Sequence, residues 1–553
     1  MPFVQRCVRP ADTVADAVRT TFFEGVCATQ KAMAVLFPAG FFVGCRLVRL
    51  VMHLSRVLIA EHAAVASEHP LASLAGFDAL KRGGNAFDAA AATSFTLAVT
   101  MPQIGGLGGD FFGMLYEAKT GKVHCLNSSG WAPSGLTLEL VGPPGKTRMP
   151  TRGALSCVVP GQVAGVWAMQ RRFGRLPFGI LLNAAKSYAS EGFPASEGFC
   201  RSTAAAFGSL SAEAKAVFAP GGKPPVPGEW IRQENLGRAI EEIAEGGAEA
   251  FYHGWPSESI QKTLQALGVP TKESDFSDFE PEWVDPLILD YRGMRVFEVP
   301  PNSIGATSLL MLKLLARRRL AEFGPLSKER VALTMEAAEI AYRRKDEMLG
   351  DPRFGAIDIE KFMRPATAER GYTGLVQDGD TTAFSIADSE GNLFSGIQSL
   401  FNHHGSGVFV QRCGIMLNNR GSGFSLEGPN KLEPRKRPLH TLSSLILEHD
   451  ETTRVAIGSS GGDYRPMQHT EFVTDMADYH LTLERTVEHP RFLWSEGRDL
   501  IIEAGYEEYA SPRYNVRRLP MLETTNVCQA VESSARLRKA VCDVRGDGIP
   551  AGF

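Results

Sequence analysis

Residues 379–400, GDTTAFSIADSEGNLFSGIQSL, open on a threonine pair. A threonine at the head of a strand can do chemistry if the chain is cut in front of it. A hydroxyl is a weak nucleophile until a base takes its proton. The α-amine of an N-terminal threonine can be that base, since its unperturbed pKa is about 7.7–8.0. No histidine or carboxylate relay is then needed. What is needed is scission of Asp380–Thr381, which attack by the Thr381 hydroxyl on the preceding carbonyl, an N-to-O acyl shift, would achieve. The alternative is an ordinary hairpin, because Thr-Thr is a common start to a strand. From these residues alone the ordinary hairpin is the simpler reading.

The elements around the pair say what a nucleophile would face. Ser389-Glu390-Gly391 reads as a three-residue hairpin turn with glycine at its left-handed position. Counting outward from Asp388 opposite Asn392, Thr381 falls opposite Ser399. Thr381, Ala383, Ser385 and Ala387 then share one face, and Thr382, Phe384 and Ile386 the other. The Thr381 face is small and polar, unlike an apolar core face, and presents a second hydroxyl to the threonine. A slip of one residue would exchange the faces.

The whole chain has 553 residues, 44% hydrophobic and 22% charged, with a net charge of −4. That length allows a large core or several domains. The charge balance and the lack of a basic domain argue against nucleic-acid binding. Nine cysteines are scattered without a CxxC, so buried or free thiols are expected instead of a disulfide framework or zinc site. This leans towards a reducing compartment and a cytoplasmic location. The apolar stretch 32–45, AMAVLFPAGFFVGC, resembles a signal core but is too short for a span of about 20 residues. Arg46, Arg49 and Arg56 interrupt its continuation, and membrane attachment is not expected.

From about residue 61 the pattern becomes that of a layered protein. Helices are expected up to Gly83-Gly84 and again from Asn85, over 161–192 with breaks at Gly174 and Pro177, and over 235–247, 306–322, 329–349 and 466–480. Strands are expected over 111–117, 122–127, 382–388, 392–400, 407–417, 442–449 and 453–458, and a loop over 371–380. Mixed sheets with covering helices fit an α/β or α+β layered sandwich. Other motifs carry less. GGLGGD, 105–110, lacks the Lys-Ser/Thr of a phosphate loop and reads as a packed turn. His403-His404 point to opposite faces of a strand and have no third ligand, so they read as structural or pocket-lining. DGDTT, 378–382, lacks the spacing of a calcium loop. KLEPRKRP, 431–438, reads as a solvated loop. His469 and His489 are isolated and receive no role.

Taken together, HPLASLAGFDALKRGGNAFDAAAA, PQIGGLGGDFFGMLY, VPGQVAGVWAMQRRFGRLPF, PPNSIGATSLLML, EAAEIAYRRKDEMLGDPRF, GDTTAFSIADSEGN, GSGVFVQRCGIMLNN, KRPLHTLSS, GSSGGD and VRGDGIPAGF occur in this order. This series resembles the γ-glutamyltransferase (glutathione hydrolase) family of N-terminal-nucleophile enzymes from about residue 65 to the C-terminus. The resemblance implies an α+β fold, a four-layer αββα sandwich made as one precursor. Residues 1–60 would be an extension of unknown role. Residues 61–380 would be the large segment and 381–553 the small segment, intertwined after self-cleavage. It further implies Thr381 as nucleophile, Ser399 as the hydroxyl supporting it, and Gly461-Gly462 as the source of oxyanion-hole N–H groups. Glycine suits that role because nothing beyond backbone obstructs the tetrahedral oxyanion. No metal or organic cofactor is implied. The partners would be a small-molecule amide with water or an amine acceptor.

The donor pocket departs from the family pattern. An arginine that grips the donor α-carboxylate is matched by Ser129 in NSSGWAP. The serine pair of RPLSSM becomes His440-Thr441. The groups that hold the α-amine become Phe401, Arg420 and Gly423, so Arg420 should repel an ammonium with no matched carboxylate to offset it. A planar guanidinium suits a carboxylate. The expectation is a self-processing amidohydrolase or acyltransferase acting on a γ-glutamyl-type or anionic-acyl amide. An oxamate-like dicarboxylic monoamidase or a cephalosporin-type acylase is the alternative, and an unprocessed scaffold protein is the alternative of another class.

Overall fold

The computed structural model describes residues 56–142, 147–364, 372, 379–495, 497–522 and 526–553. The signal-like stretch 32–45 and nearly all of the loop expected over 371–380 lie outside these residues.

Two seven-stranded antiparallel sheets form the middle of the fold. In the first, the hairpin Asp380–Ala387 and Leu393–Phe401 is central. Ala64–Ser67 and then Ala551–Gly552 flank it on one side, and Asp110–Glu117, Lys122–Ser128 and Glu282–Val284 on the other. The second sheet runs Arg56–Ala60, Arg538–Cys542, Cys528–Ser533, Arg454–Ser459, Leu445–Glu448, Met294–Glu298 and Leu287–Tyr291. Helices Pro70–Lys81, Ala86–Thr100 and Gln162–Phe173 cover the outer face of the first sheet. Gly305–Leu315, Arg465–Ala477 and Leu483–Glu488 cover the second. This is the expected four-layer αββα sandwich. The fold, however, starts before residue 61, because Arg56–Ala60 pairs along its whole length with Arg538–Cys542. The boundary of the extension therefore moves towards the N-terminus.

Local signals placed these elements well. Asn85 caps the helix Ala86–Thr100 by accepting from Phe87 and Asp88 N–H, while Asp88 accepts from Asn85 N–H in return, closing a capping box. Every residue of that helix is buried, and its alanines let it lie close against the sheet. The hairpin turn has Gly391 at φ +87°, and Asp388 Oδ1 accepts from Glu390 and Asn392 N–H.

One inference from the hairpin is corrected. The Thr381 face, small and polar and read as unlike a core face, is buried core: it is the layer between the two sheets. Ala383 and Ala387 pack there with Phe112, Ile397, Ile446 and Val531, while Phe384 and Ile386 face the helices. The polar members of the face are satisfied across the gap, Ser385 Oγ donating to Gln529 O and Ser395 Oγ to Ile457 O. Small side chains are required because the sheets approach closely here; a Cβ on Gly458 would sit 2.9 Å from Ala383 Cβ. Of the cysteines, Cys125, Cys157, Cys200, Cys413, Cys528 and Cys542 are buried free thiols.

Candidate active site

The hairpin register is the one counted from the sequence, with Thr382 opposite Gln398 and Ala387 opposite Leu393. Asp380 pairs with Phe401, one residue out of step, so Thr381 sits in a β-bulge facing Ser399 and Leu400. Bulges re-aim side chains and are common beside active sites. Here the bulge brings three groups onto one oxygen. Ser399 Oγ donates to the Asp380 carbonyl at 2.8 Å and accepts from Thr381 Oγ1 at 3.3 Å and from Phe401 N–H at 2.7 Å. Thr381 N–H donates to Asp380 Oδ1 at 2.8 Å. The attacking hydroxyl and the carbonyl it would attack thus share a single buried serine. Phe401 takes φ +84° to make this contact, an uncommon conformation for an aromatic residue.

The glycine pair follows the strand Arg454–Ser459, with Gly461 at φ +130° and Gly462 at +53°. A Cβ on Gly461 would sit 2.2 Å from Asn526 Oδ1. Gly462 opens a short helical turn that leads into Arg465–Ala477. The first N–H groups of a helix have no intrahelical acceptor and carry the positive end of its dipole, which is the chemistry an oxyanion requires. The turn is anchored by Lys345 Nζ on Asp463 Oδ1 at 3.2 Å and by the Tyr342 hydroxyl on Asp463 O.

Beside the hairpin lies a buried polar cluster organised by Asp110, a residue to which the sequence reading gave no role. Asp110 is the cross-strand partner of Ser399, so both side chains occupy the face that carries Thr381. Its Oδ2 is 3.3 Å from Arg420 Nε and 3.0 Å from His440 Nε2, and its Oδ1 accepts from Gly130 N–H at 2.6 Å. Arg420 Nη1 donates to Thr441 Oγ1 at 3.0 Å, and its guanidinium lies 4.2 Å over the Phe401 ring. Asn418 orients it by accepting from both Arg420 N–H and Val158 N–H. Burial works against charge on Asp110, but His440 and Arg420 beside it hold its carboxyl below the usual range. Burial lowers Arg420 to about 10, which leaves it a cation at neutral pH. Burial and then Arg420 push His440 down to about 3. His440 is therefore neutral; its Nδ1 accepts from Leu442 N–H at 3.1 Å, which leaves the Nε2 proton facing Asp110. Arg465, three residues beyond Gly462, bonds to Ser459 O and Thr441 O, and burial together with Arg420 lowers it to about 9.

Apart from the glycines, the sequence candidates fall into two classes. Thr381, Asp380, Ser399, Phe401, Arg420, His440 and Thr441 meet in one connected network. Ser129 lies one residue from it but is spent on Asn127 Oδ1 and on Asn302, whose Nδ2 in turn donates to Pro438 O. The expected absence of a carboxylate for Arg420 is corrected: Asp110 supplies it from the strand beside Ser399. The basic run 431–438 is likewise not a solvated loop. Arg437 is 1% exposed and pairs with Glu282 at 2.7 Å. His403 lies 3.4 Å from Asp380 Oδ2, whereas His404 is buried against Thr203 and Phe218. His469 bonds Glu298, and His489 lies by Asp475. Among the described residues no group of three or more His, Cys, Asp and Glu is placed to hold a metal ion, and no helix is long and apolar enough to cross a membrane.

The family description "Gamma-glutamyltranspeptidase" matches residues 72–553. The chain belongs to the gamma-glutamyltranspeptidase family. It is therefore an amide hydrolase or transferase of the N-terminal-nucleophile class. Among relatives in this family, the glutathione hydrolase-like YwrD proenzyme of Bacillus subtilis is 36% identical over 456 residues, 80% of this chain and 86% of that one. The oxamate amidohydrolase proenzyme of Klebsiella pneumoniae subsp. pneumoniae is 28% identical over 474 residues, 81% of this chain and 88% of that one. A crystal structure of cephalosporin acylase from Bacillus halodurans superposes with a TM-score of 0.82 at 28% identity, covering 94% of this chain and 99% of that one. The gamma-glutamyltranspeptidase relatives include several named as proenzymes, in keeping with a precursor that is processed.

Proposed function

We propose that this protein cleaves itself between Asp380 and Thr381 and then hydrolyses an amide whose acyl group ends in a carboxylate and lacks a γ-glutamyl α-amine. The observation that carries the first half is the single hydroxyl of Ser399, bonded both to the Asp380 carbonyl and to Thr381 Oγ1. In the precursor it polarises the carbonyl that Thr381 attacks. In the mature enzyme Thr381 Oγ attacks the substrate carbonyl, and the freed Thr381 amine takes its proton and passes it to the leaving amine. Gly461 and Gly462 N–H groups receive the oxyanion, and water releases the acid.

The acyl preference rests on how charge is spent. Asp110 is fully used by Arg420, His440 and Gly130 N–H, so it has little left for an ammonium. The Nη2 groups of Arg420 and Arg465 are buried without a partner among the described residues. A buried donor without an acceptor is costly, and two of them suit a carboxylate. Oxamate-like and other short dicarboxylic monoamides fit this better than glutathione. Hydrolysis is ranked above transfer.

The test has two stages. Intact mass of the purified protein should show two chains meeting at Asp380–Thr381, and a single chain for Thr381→Ala. A parent that remains one folded chain would overturn the enzyme reading in favour of a scaffold. The processed protein is then offered oxamate, longer dicarboxylic monoamides and γ-glutamyl anilides. Rapid turnover of γ-glutamyl substrates with none of the monoamides would refute the acyl assignment.

A further inference from the structure

Hydrolysis of a primary amide sets ammonia free beside Thr381, and ammonia left there can attack the acyl-enzyme and re-form the substrate. A cavity with room for a group about the size of one water molecule adjoins this point. Asp380, the residue before the nucleophile, is part of its wall, together with Glu68, Gln103, Asp547, Arg201 and Arg545.

Two polar atoms of this wall lack partners. Glu68 is 4% exposed and Gln103 1%, and neither Glu68 Oε2 nor Gln103 Oε1 has a hydrogen-bond partner among the described residues. A buried polar atom left unpaired is costly, and two in one small cavity suit a ligand that forms more than one hydrogen bond. The charge of the lining agrees with a ligand that becomes a cation. Glu68, Asp380 and Asp547 bring three carboxyls against the guanidinia of Arg201 and Arg545. Arg545 is spent on Glu503 at 2.5 Å and Asp543 at 3.1 Å. Arg201 lies 3.9 Å from Glu197, and its side chain is 41% exposed. Burial, and after it Asp380, push the Glu68 carboxyl well above the ordinary range, so the empty cavity keeps a proton that a basic ligand can take.

We propose that this cavity receives the ammonia released from a primary amide and holds it as ammonium between Glu68 and Gln103. The proposal rests on the amide-hydrolase reading above and narrows its substrates to primary monoamides. Ammonia leaves the tetrahedral intermediate with the proton carried by the Thr381 amine. Its lone pair then takes the Glu68 proton, so ammonia and a carboxylic acid become ammonium and a carboxylate. The ammonium N–H groups donate to Glu68 and to Gln103 Oε1, and Glu68 regains its proton when ammonia departs. Ammonium has no lone pair, so it cannot attack the acyl-enzyme, and water completes the reaction. A methyl group on the nitrogen exceeds the space available, so secondary amides are the poorer substrates.

Binding is tested first on uncleaved full-length Thr381→Ala, which needs neither processing nor turnover. Ammonium chloride at about 0.1 M should raise its melting temperature by about 2 °C over equal sodium chloride, and tetramethylammonium chloride should not. Glu68→Gln and Gln103→Met, each in that background, should lose the shift. Each variant is compared with itself across the salts, so a lower overall stability does not hide the result, and Gln103→Met decides if Glu68→Gln yields no folded chain. No ammonium-specific shift, or a shift retained by either variant, would overturn the proposal. So would an equal shift from potassium, which would mark a site for a metal cation. Turnover is tested second, on the processed parent. Its kcat/KM for succinamate should exceed that for N-methylsuccinamate, and Gln103→Met should lower this ratio at least about tenfold. A ratio unchanged in Gln103→Met would overturn the proposal while leaving amide hydrolysis intact. A parent that hydrolyses no monoamide would overturn the function proposed above, and this proposal with it, whatever the melting curves show.

Discussion

Replacing Ser399 with alanine is the sharpest probe of the site, because one oxygen carries three bonds. The change removes the donor to the Asp380 carbonyl, the acceptor for Thr381 Oγ1 and the acceptor for Phe401 N–H. The first loss acts on rate. Deleting one hydrogen bond to a developing oxyanion costs about 10²–10³-fold, so self-cleavage should slow by that factor. The third loss acts on stability. A buried N–H without an acceptor costs about 1–3 kcal/mol, here at a residue already held at φ +84°. Ser399→Thr keeps the hydroxyl and should recover most of the rate. The two effects separate experimentally: cleavage is timed by intact mass after synthesis, and stability is read by urea unfolding of Thr381→Ala with and without Ser399→Ala. Cleavage of Ser399→Ala within about threefold of the parent, a barrier change under 1 kcal/mol, would refute the shared-hydroxyl mechanism.

Three other perturbations discriminate further. Gly461→Ala forces a Cβ to 2.2 Å from Asn526 Oδ1 at φ +130° and should abolish amide hydrolysis, whereas Gly462→Ala at φ +53° should cost stability of only about 1–2 kcal/mol; steady-state kinetics and melting curves of both variants check this. Asp110→Asn leaves the buried Arg420 cation without its counter-ion and should destabilise by about 3–5 kcal/mol, while Asp110→Asn with Arg420→Gln should cost less than the sum by about 1–3 kcal/mol in urea unfolding. His404 is held at about 3 by burial, then by His403 and Arg152. Its folded pKa is thus below the unfolded value, so the unfolded state gains a proton first and stability falls as pH drops through about 6.5 towards 3. His404→Gln lacks that loss, so the parent's lead in unfolding free energy should shrink by up to about 1.4 kcal/mol per pH unit below 6.

How far the sequence could be read depended on the range of the interaction. The capping box at Asn85, the Gly391 turn and the Thr381–Ser399 register are set by residues within a few positions of one another, or by one tight turn, and alternation and turn chemistry reach that far. Asp110 opposite Ser399 is a pairing of strands separated by most of the chain, and no local pattern encodes it. The only signal was an acid directly after a glycine-rich turn, at the first position of a strand. Arg437 was misread for the same reason, since Glu282 and Asp351, which surround it, come from distant segments. The inter-sheet face was misread because small and polar residues were taken to be unlike a core face, when they mark two backbones packed close together.

The Asp110 pairing also changes what the altered donor pocket means. Taken one at a time, Ser129, Phe401, Arg420, Gly423 and His440 look like the erosion of a glutamyl site. In the structure Phe401, Arg420 and His440 are parts of one neutralised unit, and Ser129 lies beside it on Asn127 and Asn302. Arg420 brings in a positive charge, Asp110 cancels it from the neighbouring strand, and His440 stays neutral against both. Phe401 covers the guanidinium, and Thr441 takes one of its nitrogens. A buried charge that lost its function would be destabilising and open to replacement by apolar side chains. This one is matched on three sides and still presents an Nη2 without a partner among the described residues. Such an arrangement is expected of a pocket rebuilt for a different acyl end, and it is at odds with a pocket that has stopped binding.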